Sequence, residues 1–191
     1  MDRRFDPKRY HLLDEPSRLK WQNPEVLFDW LNLNGDETIV EIGSGTGFFT
    51  IPLAKRSKSF KIYAVDVSPE MIKILRERLE QSKVDNVETM LTSGSSLHPL
   101  ESKTANLILL INVLHELVED EAIFREIKRI LKPGGHLAVV DWQKRETPHG
   151  PPLHIRLTPE EATSLLQQYD FQLSRRGDIY LHHYTLLFRK L

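Results

Sequence analysis

The stretch Glu41-Ile42-Gly43-Ser44-Gly45-Thr46-Gly47 places three glycines on alternate positions where an apolar run gives way to a helix-like one. Glycine lets a backbone turn sharply and approach a ligand closely, and the N–H groups opening the next helix would point at that ligand. Asp66 closes the following apolar run, 23 residues after Gly43, where a carboxylate can accept from both hydroxyls of a ribose. Together these residues predict a nucleoside-containing ligand across the carboxyl ends of the strands. A dinucleotide fingerprint, G-x-G-x-x-G, would place its third glycine at position 48, where Phe48 stands, and the third glycine comes one residue early at Gly47. The ring disfavours the close helix–strand packing that glycine serves. Glu41, an acid two residues before the first glycine, has no place in that pattern. Asp141-Trp142 ends a later apolar run at the same rim, where Asp141 could orient a substrate and Trp142 could wall a pocket or pack beneath a loop.

The elements that must position these residues alternate between strand-like and amphipathic runs, the pattern of an α/β domain with a mostly parallel sheet. Residues 1–22 are charged and irregular, broken at Asp6-Pro7 and Glu15-Pro16, and are expected to lie across the domain outside the sheet. Asn23 and Pro24 open a helix with Val26, Leu27, Trp30 and Leu31 as its buried face, ended by Asn34-Gly35. Strands are predicted over 37–43, 60–66, 87–92, 105–112 and 136–141, with helices over about 47–57, 69–82 and 119–131 between them. Pro52 should kink the first of these helices or displace its start. Pro133-Gly134-Gly135 stops the last before its strand. Residues 143–157 carry three prolines and a glycine, a long loop suited to wall a substrate. A capping box at Thr158-Pro159-Glu160-Glu161 starts a final helix with Ala162, Leu165, Leu166 and Tyr169 on one face. The runs 171–178 and 182–189 are too close for a helical crossover and should pair antiparallel at one edge. The expected fold class is a doubly wound, Rossmann-like, mostly parallel seven-stranded sheet with an antiparallel C-terminal hairpin.

The 191 residues suit one domain, and 26 Lys+Arg against 27 Asp+Glu leave a net charge of -1, with no positive field to hold a phosphate backbone. No nucleic-acid partner is expected. The longest clean apolar run, Leu107 to Ile111, is far short of a membrane span, and the N-terminus lacks a signal-peptide core. A soluble, cytoplasmic protein with no membrane partner is the expectation. Zero cysteine removes disulfides, thiolate metal sites and covalent chemistry through a thiol.

The stretches "VEIGSGTGFFTIPLA", "IYAVDVSPEMI", "NLILLINVLHEL" and "LKPGGHLAVVDW" resemble the class I S-adenosylmethionine-dependent methyltransferases over about residues 23–191, in that family's order and spacing. Among its members the chain looks most like the small single-domain group of the ubiquinone/menaquinone-biosynthesis methyltransferase. The resemblance implies S-adenosylmethionine as cofactor, S-adenosylhomocysteine as product and a small-molecule acceptor. It implies that Gly43, Ser44, Gly45 and Gly47 wrap the methionine part of the cofactor, with Glu41 bracing that loop through the cofactor's amino group or a water, and that Asp66 holds the ribose. Val67 and Met71 would sandwich the adenine, with the turn Ser93-Gly94-Ser95 along its edge, where the family's usual Asp or Asn is missing. Asn112 would face the methionine end, and His115 would stand near the transferable methyl as a base or as support. Residues 1–22 would fold over the cofactor as a lid, with Tyr10 the preferred contact beside His11 and Trp21, leaving 23–191 as the methyltransferase domain.

Methyl transfer from a sulfonium is an in-line displacement at an activated carbon, so a base is needed only where the acceptor is protonated. His149, His154, His182 and His183 might gather near the rim, yet no zinc-ligand spacing appears, and His182 and His183 on one strand would point to opposite faces; no metal is expected. Metalloid-methylating relatives use cysteines that are absent here. Two other readings stand beside the methyltransferase: a dinucleotide-dependent oxidoreductase using the same crevice, and a non-catalytic cofactor-binding module acting through a partner.

Overall fold

Successive side chains on a strand point to opposite faces, so apolar runs buried on both faces belong to a parallel sheet covered by helices on each side. In the computed structural model, which describes residues 5–92 and 95–191, these runs form β1 (Thr38–Ile42), β2 (Lys61–Asp66), β3 (Val87–Leu91), β4 (Ala105–Ile111) and β5 (Leu131–Trp142), all parallel. The chain ends in β6 (Phe171–Tyr180) and β7 (His183–Lys190), and β7 pairs antiparallel with both β5 and β6. The order β3-β2-β1-β4-β5-β7-β6 reverses direction at β1, which opens a crevice above the carboxyl ends of β1 and β4.

The helices are α1 (Arg18–Trp21), α2 (Pro24–Leu31), α3 (Thr50–Arg56), α4 (Pro69–Gln81), α5 (Leu114–Leu117), α6 (Glu121–Ile130) and α7 (Pro159–Gln167). On one face Phe124 and Ile127 of α6 and Leu166 of α7 pack on Val40, Ile108 and Val139. On the other, Leu27 and Phe28 of α2 and Leu53 of α3 pack on Ile39, Leu109 and Val140, and α4 sets Leu75 and Leu79 against Ala64. Each such side chain contributes about 1.5–3 kcal/mol on burial. Among the described residues no helix is long and apolar enough to cross a membrane.

Several boundaries differ from the sequence expectation for local reasons. Gly43, Gly45 and Gly47 adopt φ of +73°, +53° and +90°, which no right-handed helix contains, so α3 starts at Thr50 and not at 47. Pro52 then falls in its first turn, where the missing N–H removes no helical bond and causes no kink. Helix α2 ends at Leu31 because Asn32 turns left-handed at φ +55°. Val26 is 39% exposed and Phe28 takes its expected place in the core. Strand β5 begins at Leu131 opposite Ala105, loops out through Pro133 and Gly134, and resumes with His136 opposite Leu107. His182 lies in the hairpin turn and not on a strand. The capping box at Thr158 and Glu161 forms as expected, with both reciprocal bonds present.

Two irregular stretches cover the crevice. The N-terminal one is a 3-10 turn (Pro7–Asp14) followed by α1. Asp14 ties it down, accepting from both Arg78 terminal nitrogens at 2.6 and 2.7 Å and from Thr46 Oγ1 at 2.7 Å. The other, 143–157, wraps around buried Arg156, whose guanidinium donates to the carbonyls of Gln143, Arg145, His149 and Pro151 and to Thr147 Oγ1.

Candidate active site

Between the sheet's carboxyl ends and these two coverings lies a cavity of about 1670 Å³. Sites for a single ligand run to about 1000 Å³, so this one has room for two small molecules. Gly43 lies at its floor: Gly43 and Ser44 donate their N–H groups to Val65 O at 2.8 and 3.0 Å. A Cβ on Gly43 would stand 2.4 Å from Val113 Cγ2, so only glycine allows this approach. Ser44, Gly45 and Thr46 also line the cavity, and Ser44 Oγ is buried there with no hydrogen-bond partner among the described residues. Gly47, expected to wrap a ligand, does not line it. A Cβ at Gly47 would meet Leu75 Cδ1 at 2.5 Å, so its work is to seat α4 against the turn.

Two buried carboxylates flank the glycine turn. Asp66 accepts from the N–H of Gly45 at 2.8 Å on one oxygen and of Ser68 at 2.9 Å on the other, and it lines the cavity. Burial raises its pKa, opposed by these backbone donors. Glu41, fully enclosed, receives the Thr50 hydroxyl at 2.6 Å, and burial pushes its pKa up to about 7. Beyond Asp66, Val67 (43% exposed) and buried Met71 give the cavity an apolar margin, joined by Leu97. Ser93 and Gly94 lie outside the described residues. Ser95 lines the cavity and donates its hydroxyl to Asp120 at 2.6 Å. Asp120, which caps α6 through the Ile123 N–H, thus puts a carboxylate at this edge, though the turn itself has none.

At the far end of the cavity His115 is anchored by Asp141. The Nδ1 atom lies 2.8 and 3.0 Å from the two carboxylate oxygens, and the His115 backbone N–H also donates to Asp141 at 3.0 Å. Asp141 is 1% exposed and does not line the cavity. Expected to orient a substrate, it instead has the His115 ring and backbone N–H as its neighbours here. Burial pulls the His115 pKa down, but Asp141 and Glu116 more than offset this and leave it raised. Glu116 Oε1 lies 3.9 Å from His115 Nε2, and burial pushes the Glu116 pKa up to about 7.

The N-terminal segment reaches the site by residues other than the expected one. Tyr10 is 36% exposed, meets His11 edge-on and does not line the cavity. Leu13 lines it instead, 3.4 Å from where a Gly45 Cβ would lie. Arg18, 6% exposed, sits over the Phe48 ring at 4.1 Å and donates to Gln22 Oε1 and Leu13 O. Burial lowers its pKa to about 10, which still leaves it charged at neutral pH. Gln22 and Asn112 exchange side-chain bonds of 2.9 and 3.2 Å. Phe5 N–H donates to Glu116 at 3.0 Å. Among the described residues no group of three or more His, Cys, Asp or Glu is placed to hold a metal ion.

Residues 40–139, more than half of the chain, match the family model described as a methyltransferase domain. The chain belongs to the class I S-adenosylmethionine-dependent methyltransferases. A crystal structure described as an S-adenosylmethionine-dependent methyltransferase from Aquifex aeolicus superposes on this chain with a TM-score of 0.93 at 29% identity, covering 98% of this chain and 100% of that one. An uncharacterised methyltransferase-like protein of Schizosaccharomyces pombe is 37% identical over 126 residues, 66% of this chain and 44% of its own. The demethylmenaquinone methyltransferase of Tropheryma whipplei is 29% identical over 112 residues, 59% of this chain and 44% of that one. The chain thus spans less than half the length of these two curated relatives.

The donor set present fits S-adenosylmethionine. An acid at the end of β2, a glycine turn with a buried Ser44 hydroxyl that has no partner among the described residues, and an apolar margin at Val67 and Met71 all line the cavity.

Proposed function

We propose that this methyltransferase methylates a hydroxyl group of a small-molecule acceptor, with His115 as the base that takes the hydroxyl proton. The observation that carries the reading is the Asp141 carboxylate at 2.8 Å from His115 Nδ1. It fixes the tautomer with Nδ1 protonated and puts the lone pair of the neutral ring on Nε2. When bound, S-adenosylmethionine supplies a methyl carbon on a sulfonium, whose bond to sulfur breaks as the bond to the acceptor oxygen forms.

In this reading Asp66 holds the ribose hydroxyls, and Val67 and Met71 hold the adenine faces. Asp120, steadied by Ser95, replaces the missing acid at the adenine edge. Gly43, Ser44 and Gly45 line the methionine part, with Glu41 beneath, while Asn112 and Arg18 meet its far end. The acceptor's proton passes to His115 Nε2, and Asp141 stabilises the imidazolium that results. Residues 5–22 serve as a lid, held by Asp14 on Arg78 and Thr46, by Gln22 on Asn112 and by Phe5 on Glu116. A closed lid excludes water from the reacting atoms.

The test is transfer of labelled methyl from S-adenosylmethionine into the low-molecular-mass fraction of a cell extract, with wild type and His115→Ala side by side. Label in an ether-type product, lost in the variant, supports the reading. Binding of S-adenosylhomocysteine with no transfer to any fraction would replace it by the non-catalytic module, and binding of NAD in its stead by the oxidoreductase.

A further inference from the structure

The end of the cavity beside His115 is built from rings on separate stretches of chain. Trp21 ends α1, Trp142 follows Asp141 at the end of β5, His149 lies in the 143–157 loop, and His183 opens β7 opposite Trp142. Ring centres are 4.2 Å apart for Trp142 and His183, and 5.5 Å apart both for Trp21 and Trp142 and for Trp21 and His149. Trp21 lies within 13° of parallel to His149 and 3° of parallel to His183. Trp21, Trp142 and His149 line the same cavity as His115.

The polar edges of this cluster are unusual for a packing seam. Trp21 Nε1, both ring nitrogens of His183 and Thr185 Oγ1 are buried with no hydrogen-bond partner among the described residues. Leaving such an atom unpaired costs about 1–3 kcal/mol, and apolar side chains would fill the same space without that cost. His183 is 0% exposed, and burial pulls its pKa down to about 3. It is therefore a neutral ring with one donor and one acceptor. Arg18, Arg156 and His182 face it against the single carboxylate of Asp141, a balance that disfavours a cationic guest.

We propose that Trp21, Trp142 and His149, backed by buried His183, wall the acceptor subsite, and that the acceptor is a flat aromatic molecule, neutral or anionic, whose hydroxyl points at His115. Its ring lies against the wall that Trp21, Trp142 and His149 present to the cavity, with His183 packed behind them. The identity of the hydroxyl as the reacting group rests on the proposed function above.

The experiment uses the full chain saturated with S-adenosylhomocysteine, with 2-naphthol as probe and its saturated counterpart 2-decalol as control. The readout is the proton–nitrogen spectrum of the three tryptophan indoles, assigned with Trp→Phe variants. 2-Naphthol is expected to shift the Trp21 and Trp142 signals and leave that of Trp30, which packs beneath β6 at Gly177. It should bind about tenfold more tightly than 2-decalol, the upper range of an aromatic pair. His149→Ala, a change at an exposed loop position, should weaken 2-naphthol severalfold with S-adenosylhomocysteine affinity unchanged. Equal affinity for the two probes, a response at Trp30 alone, or no response to 2-naphthol while S-adenosylhomocysteine binds would overturn the subsite. A Trp21 response without S-adenosylhomocysteine binding would support the subsite and overturn the donor site instead.

Discussion

Replacing Asp14 with alanine removes the contact that holds the N-terminal segment on the glycine turn. Three bonds go at once: two from Arg78 at 2.6 and 2.7 Å and one from Thr46 Oγ1 at 2.7 Å. The Asp14 and Arg78 side chains are 20% and 31% exposed, so the pair lies between an exposed ion pair, worth up to about 1 kcal/mol, and an enclosed bond to a charge, worth about 1.5–3. Discounted for solvent, the latch contributes about 1–2 kcal/mol to lid closure. If closure over the bound molecule draws on that energy, S-adenosylhomocysteine should bind about five- to thirtyfold more weakly to Asp14→Ala. The core is untouched, so the melting temperature should change little. Arg78→Gln should cause a similar loss, and the double variant should lose little more than either single one. Isothermal titration calorimetry on the four proteins measures this. Affinities within twofold of wild type, or losses that simply add, would refute the latch.

The other predictions concern the site's protonation and its floor. Glu41 has a pKa raised by burial from 4.5 to about 7, so its contribution to stability is fully present below about 4.5 and is lost as pH rises through about 7. Glu41→Gln should flatten denaturant-measured stability across that window, leaving a residual slope from Glu116, whose pKa is shifted up to about 7 by the same cause; an unchanged slope would contradict this. Activity should rise with pH through the raised pKa of His115. In Asp141→Asn that limb should move to lower pH with the maximum rate down about 10²–10⁴-fold, and an unmoved limb would remove the base. Gly43→Ala combines a φ of +73° with a Cβ 2.4 Å from Val113 Cγ2. It should cost about 1–3 kcal/mol in stability, readable by urea unfolding, together with loss of S-adenosylhomocysteine binding.

What could be read in the sequence was what repeats or what sits next to its partner. Apolar runs between amphipathic ones located β1 to β5, and the glycine turn with Asp66 located the crevice, because both signals lie within a few residues of their structural cause. The covering segments carry no such period. Asp14 meets Arg78 across 64 residues, Gln22 meets Asn112 across 90, and Phe5 meets Glu116 across 111, so none of these pairs leaves a local pattern. Tyr10 is the aromatic that the sequence offers in this segment, but Leu13 is the residue that lines the cavity. The contact between Asp141 and His115 is not legible in sequence, since only the packing of α5 against β5 brings the ring to the carboxylate. Arg156 reads in sequence as one more basic loop residue, yet its five nearby acceptors make it the centre around which 143–157 folds.

The most direct test of a donor site at the glycine turn is calorimetric titration of S-adenosylhomocysteine into wild type and Asp66→Ala, with circular dichroism to establish that both are folded. Binding by wild type and a loss of about a hundredfold or more in the folded variant is the expected result, as two hydrogen bonds to a carboxylate are worth about 1.5–3 kcal/mol each. Equal affinity in a folded Asp66→Ala protein would contradict it.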